Sequence, residues 1–342
     1  MRRLWICPDC GHPFARVRQS HACGLSDLSS HLRGRPGDVV ETFERFRQEV
    51  LRSGPATLLP ERTRIAFHTR MSFAVAVPGA TALGGHLVLP VTVRSKRFRR
   101  IERVGHRTVV HTFRWARPEE VDEQVSGWIA RSYLVGLQRH LPHRDPPVIR
   151  ARRLDLAPIT PEAMVALRRG DRGAAERALG APIPPEWAPG GGSAEAPEDW
   201  SWLRFPLAEY AQDPAALQWT ARALILRGRR RRVVGNAGFH GRPGADGVPE
   251  IGYQVAPADR GRGYATEAVG ALVEWAAREH GSRRVRAGVD PDNAASLRVV
   301  GDLGFRRVGT RSGETGGEEL VLELRTPTAF RPSPAARARP LR

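Results

Sequence analysis

The run Arg260-Gly261-Arg262-Gly263-Tyr264-Ala265-Thr266 has the composition of an anion cradle. Two glycines stand where a strand-like run (Ile251, Tyr253, Val255) hands over to an amphipathic helix whose apolar face carries Val269, Leu272, Val273 and Ala276. At a helix mouth several backbone N–H groups converge, and the helix dipole adds positive potential. Glycine suits the position because a Cβ would block the approach of phosphate oxygens. The backbone amides of Arg260 through Ala265 are therefore the predicted cradle for a pyrophosphate, with Arg260 and Arg262 adding charge and Thr266 a hydroxyl. The spelling is neither the G-x-G-x-x-G of a dinucleotide turn nor the G-x-x-x-x-G-K-[ST] of a P-loop.

A second cluster stands at the head of the chain. Cys7-Pro-Asp-Cys10, then His21-Ala-Cys23, contain every cysteine of the sequence. A Cys-x-x-Cys turn lets two thiolates reach one tetrahedral ion, and Gly11 suits such a knuckle. Cys7, Cys10, His21 and Cys23 are the candidate ligands of a structural zinc. Packed thiols and a redox pair are the alternatives, and a disulfide does not suit the cytosol.

The elements that must position these residues fall into two groups. In the first, Asp38–Arg52 reads as a helix with Asp38 as N-cap, Thr63–Val77, His86–Val93 and Thr108–Trp115 read as β segments, and Pro118–His140 reads as one long helix. This predicts a small α+β domain over 1–140. Leu141 to Pro147 is the linker, since Pro146-Pro147 cannot continue a helix. Beyond it come a strand over Ile149–Leu156, a helix over Pro161–Arg168 and a Gly/Pro-rich loop over Pro184–Asp199. Strands follow over Trp219–Leu226, Val233–Phe239 and Val248–Val255, with Arg229 to Arg232 as a charged hairpin turn. A helix over Ala265–His280, a strand over Val285–Val289, a helix from about Asn293, and strands over Phe305–Gly309 and Glu319–Leu324 complete the chain before a basic tail, 326–342, expected to be disordered.

The Glu250-Ile-Gly-Tyr strand followed by Arg-Gly-x-Gly-Tyr-Ala resembles the acetyl-CoA loop of the GNAT (GCN5-related) N-acetyltransferase superfamily, in the style of its ribosomal-protein-acetylating branch. Pro291-Asp292-Asn293 running into Leu303-Gly304-Phe305 resembles the second CoA-contacting helix and the strand after it. Gly235 to Gly241 resembles the family's third strand. The resemblance covers about 148–325. It implies an α/β GNAT fold there: a mixed, mostly antiparallel sheet with splayed central strands, following an α+β N-terminal domain with a candidate zinc knuckle. It implies an acetyl-CoA-dependent N-acetyltransferase in which an amine attacks the thioester directly in a ternary complex. By the same resemblance, Val255 and Ala256 pair with the pantetheine arm, Asn293 contacts it and Ser296 lies nearby. A plain helix N-cap is the alternative for Asn293.

The chemistry needs a base for the amine proton and an acid for the leaving thiolate. Glu250, near the start of the strand flanking the thioester, is the candidate base, with a structural or substrate-orienting carboxylate as its alternative. His240 is a second candidate, or an exposed turn residue. Val300 stands where many relatives have a tyrosine acid. The first domain, over Trp5–Gly24 and on to about residue 140, resembles an uncharacterised bacterial domain-of-unknown-function family. Arg64, Arg70, His111 and Arg114 could gather there as an anion site, or simply form a basic surface.

The net charge of +18 raises the question of nucleic acid. Residues 1–145 carry an excess of +11, 146–324 of +2 and 325–342 of +5, so the acetyltransferase-like part is nearly neutral. Lys96 is the single lysine, and abundant Arg, Ala, Gly and Pro match a GC-rich coding bias. A solvated surface is the simpler reading. The rival function is a non-catalytic acetyl-CoA sensor, or a protein binding nucleic acid or an acidic partner. No stretch has the length and apolarity of a membrane span, and the expected compartment is the cytoplasm.

Overall fold

Apolar side chains recur at helical spacing in one stretch (Val39, Phe43, Phe46, Val50) and at alternate positions in another (Val109, Phe113, Trp115, with His111 between), and each set is buried. These two periods build the first of two compact units. The computed structural model describes residues 4–8, 11, 13–14, 27–185, 200–312 and 317–326. Cys10, His21 and Cys23, residues 186–199 of the Gly/Pro-rich loop, and residues 327–342 of the tail lie outside the described residues.

The first unit comprises Met1–Arg144, Pro161–Ala175 and Asp199–Ala215. It begins with a short antiparallel pair, β1 (Trp5–Ile6) and β2 (Pro13–Phe14), and the helices α1 (Leu28–Leu32) and α2 (Gly37–Ser53). Then follow β3 (Thr57–Pro60), β4 (Ile65–His68), β5 (Ser72–Pro78), β6 (Leu83–Leu89), β7 (Phe98–Gly105), β8 (Thr108–Trp115) and α3 (Glu123–Gly136). β3 to β8 form one sheet in the order β3-β4-β5-β6-β8-β7, antiparallel at every pairing. Phe46 of α2 packs on Phe67, Phe113 and Trp115, at centroid separations of 5.4, 5.6 and 6.0 Å.

Two expected helices differ at their starts. Pro36 is the N-cap of α2, with Asp38 in its first turn. The stretch expected as one helix from Pro118 is a 3-10 turn, Pro118–Glu120, followed by α3, whose N-cap Asp122 accepts from the Val125 amide. Three further helices follow: α4 (Pro161–Arg168), α5 (Arg172–Leu179) and α6 (Arg204–Gln212). α4 and α6 belong to the first unit. Arg139 makes a two-pronged pair with Glu162 of α4 at 2.6 and 2.7 Å. Buried Arg70 donates to the carbonyls of Ala211 and Gln212 at 2.8 and 3.2 Å.

The four groups read as an anion site or a basic surface are engaged one by one. Arg64 pairs with Glu61, Arg114 donates to Thr81, and Arg70 is spent on backbone carbonyls. His111 is buried, with Nε2 accepting from the Val93 amide.

The second unit comprises Asp145–Thr160, Glu176–Glu198 and Ala216–Arg342. Its strands are β9 (Ile149–Arg150), β10 (Leu154–Pro158), β11 (Arg222–Leu226), β12 (Arg232–Phe239), β13 (Ile251–Val255), β14 (Arg284–Val289), β15 (Arg306–Ser312) and β16 (Glu318–Arg325). Helix α7 (Tyr264–His280) follows β13, and α8 (Ala294–Asp302) follows β14. The stretch Ile149–Leu156, expected as one strand, is the tight hairpin β9–β10.

Two sheets result, β13-β12-β11-β10-β9 and β14-β16-β15. Among the described residues they meet through one parallel bridge, Glu250 with Arg286, supported by the Arg286 amide donating to Pro249 O at 2.9 Å. From there β13 and β14 splay. One face of both sheets packs on α7 through Leu224, Phe239, Ile251, Leu272, Ala287 and Val289.

Candidate active site

β13 delivers the chain to a 3-10 turn, Pro257–Asp259, and then to the glycine loop. Gly261 and Gly263 have φ of 71° and 73°, the left-handed region that disfavours a side chain. Gly263 is the N-cap of α7, and the first intrahelical bond runs from the Glu267 amide to Gly263 O at 3.1 Å. The amides of Tyr264, Ala265 and Thr266 therefore precede the helical ladder and project from its mouth. A Cβ on Gly261 would meet no atom within 4 Å, so the space before the loop is open.

Two ion pairs hold this loop. Asp259 is 1% exposed and takes both prongs of Arg232, Nη2 to Oδ1 at 2.7 Å. Arg153, in the β9–β10 turn, reaches Glu267 with Nε at 2.7 Å, donates to Arg262 O at 3.0 Å and lies over the Tyr264 ring. Arg262 stands 3.9 Å from Asp259, and Arg260 Nε donates to Val255 O at 3.2 Å. Arg232, expected inside the hairpin turn, instead opens β12. Neither Asp259 nor Arg153 carries a local motif, because their partners are far away in sequence.

The expected partners of the pantetheine arm separate here. Glu250 O and the Ala256 amide bond to β12, so the even positions of this strand face β12 and the odd ones face the splay. Val255 thus turns its N–H and C=O towards the splay, where Arg260 Nε occupies the carbonyl. Ala256 does not: its amide donates to Val234 O at 2.9 Å and its carbonyl accepts from Asp259 at 2.8 Å. Asn293 is the N-cap of α8, its side chain accepting from the Ser296 amide at 3.0 Å. Ser296 O accepts from Tyr253 Oη at 3.2 Å. Val300 is fully buried in the core.

Glu250 lies at the closed end of the splay, and its environment argues against the role of free base. Burial raises its pKa, but His240 and the Arg311 guanidinium outweigh this and hold the carboxyl at about 2. Arg311 Nη1 donates to Oε2 at 2.8 Å and Nη2 to Oε1, and the same guanidinium reaches Glu319 at 2.7 Å. A carboxylate this acidic is a poor proton acceptor near neutrality. Sequence reasoning missed Arg311, because the contact spans 61 positions. A cavity of about 440 Å³ opens here, lined by His240, Arg242, Asp246, Glu250, Arg286 and Arg311 among others.

A glycine-rich loop at the mouth of α7 thus follows β13, whose odd positions face β14 as the two strands diverge. Residues 153–306 match the family model described as an acetyltransferase (GNAT) domain, and residues 28–136 match a domain of unknown function (DUF5655). The second unit carries a GNAT-like α/β fold with antiparallel sheets.

The uncharacterized N-acetyltransferase YjdG of Bacillus subtilis is 33% identical over 82 residues, 24% of this chain and 49% of that protein. The uncharacterized N-acetyltransferase p20 of Bacillus licheniformis is 32% identical over 77 residues, 22% of this chain and 43% of that protein. The chain thus spans about half the length of the curated relatives it matches. Among solved structures, an acetyltransferase from Agrobacterium tumefaciens is 25% identical, with a TM-score of 0.37, over 54% of this chain and 98% of that one. Among the described residues no helix is long and apolar enough to cross a membrane, and no group of three or more metal-ligating side chains gathers.

Proposed function

We propose that residues 148–325 act as an acetyl-CoA-dependent N-acetyltransferase, transferring the acetyl group to an amine by direct attack in a ternary complex. The observation that carries this is the splay: β13 parts from β14 beyond the Glu250 bridge and ends at a helix mouth with three projecting amides. The amides of Tyr264, Ala265 and Thr266 hold the pyrophosphate, assisted by Arg262. Arg260 lets go of Val255 O, so that the Val255 backbone can pair with the pantetheine arm. Asn293 and Ser296, at the start of α8, border the same groove. Holding thioester and amine together supplies much of the rate, so few side chains need take part in the chemistry. No acyl-enzyme is required, and every cysteine precedes residue 24.

Calorimetric titration of acetyl-CoA into the intact chain tests this, with Gly263→Glu as the control. Saturable binding is expected in the parent and at least a hundredfold loss in the variant, since the new side chain brings strain, bulk and negative charge to the cradle. A matching melting curve shows that the variant is folded. Unchanged affinity in the variant would remove the cradle assignment, and no binding by the parent would remove the reading.

We also propose that Cys7, Cys10, His21 and Cys23 hold a structural zinc. Supporting this are the Cys-x-x-Cys spacing, the burial of Cys7 and the Gly11 amide donating to Cys7 O at 2.9 Å. Elemental analysis of the chain purified without chelator should find about one zinc per chain; a metal-free, fully folded chain would refute it.

A further inference from the structure

One edge of the first unit's sheet carries a run of cations that nothing within the unit neutralises. Arg94 to Arg107 contains seven basic residues against the single acid Glu102. The stretch is the loop before β7, β7 itself and the β7–β8 turn, and β7 is the edge strand of the six. Arg103 ties the three parts into one surface. Its Nη1 donates to His106 O in the turn at 2.9 Å, and its Nη2 to Thr92 Oγ1 in the loop at 3.4 Å.

Two of the seven have carboxylate partners: Arg97 pairs with Asp122 at 2.6 Å and Arg100 with Glu102 at 2.9 Å. The other five, Arg94, Lys96, Arg99, Arg103 and Arg107, are exposed. Arg107 donates to the His140 carbonyl at 3.3 Å, so neither it nor Arg103 meets a carboxylate. Among the described residues, the side chains of Arg94, Lys96 and Arg99 have no partner. Carboxylates are not scarce in this unit: Glu44, Glu49 and Glu61 each pair with an arginine three positions on. Like charges side by side on a strand repel, and a surface that serves solubility alone intersperses the two signs. Protection of the edge does not require them either. β7 is bulged at Phe98/Arg100 and again at Arg103/Gly105, which already spoils the register for an added strand.

We propose that this edge holds the phosphate backbone of a nucleic-acid duplex. The inference concerns the first unit and stands apart from the acetyltransferase reading. At strand rise the eight residues of β7 span about 25 Å, the length of several phosphates at their axial spacing of about 3.4 Å along one strand. Guanidinium forks suit phosphate oxygens. The exposed large apolar side chains on this surface are Val91 and Val104, and it shows no exposed Phe, Tyr or Trp. Unpaired bases would find no ring of that kind to stack on, so the surface fits the backbone of a duplex, read without regard to sequence. The two bulges disfavour the alternative partner, an acidic protein segment adding itself as a strand.

Fluorescence anisotropy of a labelled DNA duplex of about 20 base pairs with the intact chain tests this. Five phosphate contacts predict a slope of about −4.5 in log affinity against log salt, a loss of about 500-fold between about 50 and 200 mM. Arg94→Ala/Lys96→Ala/Arg99→Ala removes side chains without an internal partner, so its melting curve should match the parent's. Its affinity at low salt should fall at least tenfold, and its slope should flatten by about 2.7. Arg177→Ala/Arg229→Ala/Arg230→Ala removes the same charge from exposed positions in the second unit and should stay within about twofold of the parent. Equal losses in the two triple variants would overturn the proposal, as would absence of duplex binding at low salt. Tighter binding of a single strand than of the duplex, or equal displacement by poly-glutamate at matched charge, would overturn it in favour of those partners. None of these results bears on acetyl-CoA binding.

Discussion

The two units use β-structure in opposite ways. In the first, β3 to β8 form a continuous ladder, and buried charges are matched internally, as with Arg139 and Glu162. In the second, two sheets share one bridge at Glu250 and Arg286 and then part. A complete ladder spends its backbone donors and acceptors on itself. An interrupted one keeps a row of them for a ligand that can act as the missing strand. The broken ladder must then be held open by other means, and ion pairs do this at both ends. Arg232–Asp259 and Arg153–Glu267 brace the cradle, and Arg311 joins Glu250 to Glu319 beside the closed end.

If that contrast is right, the largest effect after the cradle glycine should come from Asp259→Ala. It leaves Arg232 without its buried partner, at a cost of about 3 kcal/mol. Denaturant unfolding of the second unit should move accordingly, and acetyl-CoA affinity should fall at least tenfold. A variant of parental stability would show that the brace is ornamental. Arg153→Ala removes a half-exposed pair and one carbonyl contact. A cost of about 1 kcal/mol and a few-fold weaker acetyl-CoA binding are expected by the same measurements. Asn293→Ala removes a cap worth about 1 kcal/mol. Equal acetyl-CoA affinity after correction for stability would assign Asn293 to capping alone.

Acidification should distinguish the buried histidines from Glu250. Burial depresses the pKa of His86, His111 and His140 in the first unit, and of His280 in the second. Each contributes stability that is full above the ordinary value of 6.5 and lost as the pH falls through that value towards the folded pKa. Glu250 behaves differently: its contribution is complete above 4.5 and lost only as the pH falls towards about 2. Between pH 7 and 5.5, amide protection should therefore fall in β6, in β8 and at the end of α7, while the pairing of Glu250 with Arg311 holds. Loss of protection around Glu250 and Arg311 over the same range would contradict this.

Much of the second unit was legible in its residues. The glycine pair, the apolar face of α7 and the order of its strands follow from local spelling, because turns, caps and periodicity are local. The β9–β10 hairpin was not, since Ala151-Arg152-Arg153 carries no glycine or proline and reads as one extended run. β7 escaped notice because its mostly exposed face, Arg99 to Val104, looks like a polar loop. The state of Glu250 was illegible for a stronger reason. A carboxylate at a strand start has a base's chemistry only until Arg311 arrives from β15, and that meeting is a property of the fold.

If acetyl-CoA is taken up by the open edge of β13 and the loop after it, the continuous sheet of the first unit should not respond to the ligand. Hydrogen exchange of the intact chain with and without acetyl-CoA tests this most directly. Exchange should slow over residues 251–266 and stay unchanged over 65–115. Protection confined to the first unit, or no change over 251–266 at saturating acetyl-CoA, would contradict it.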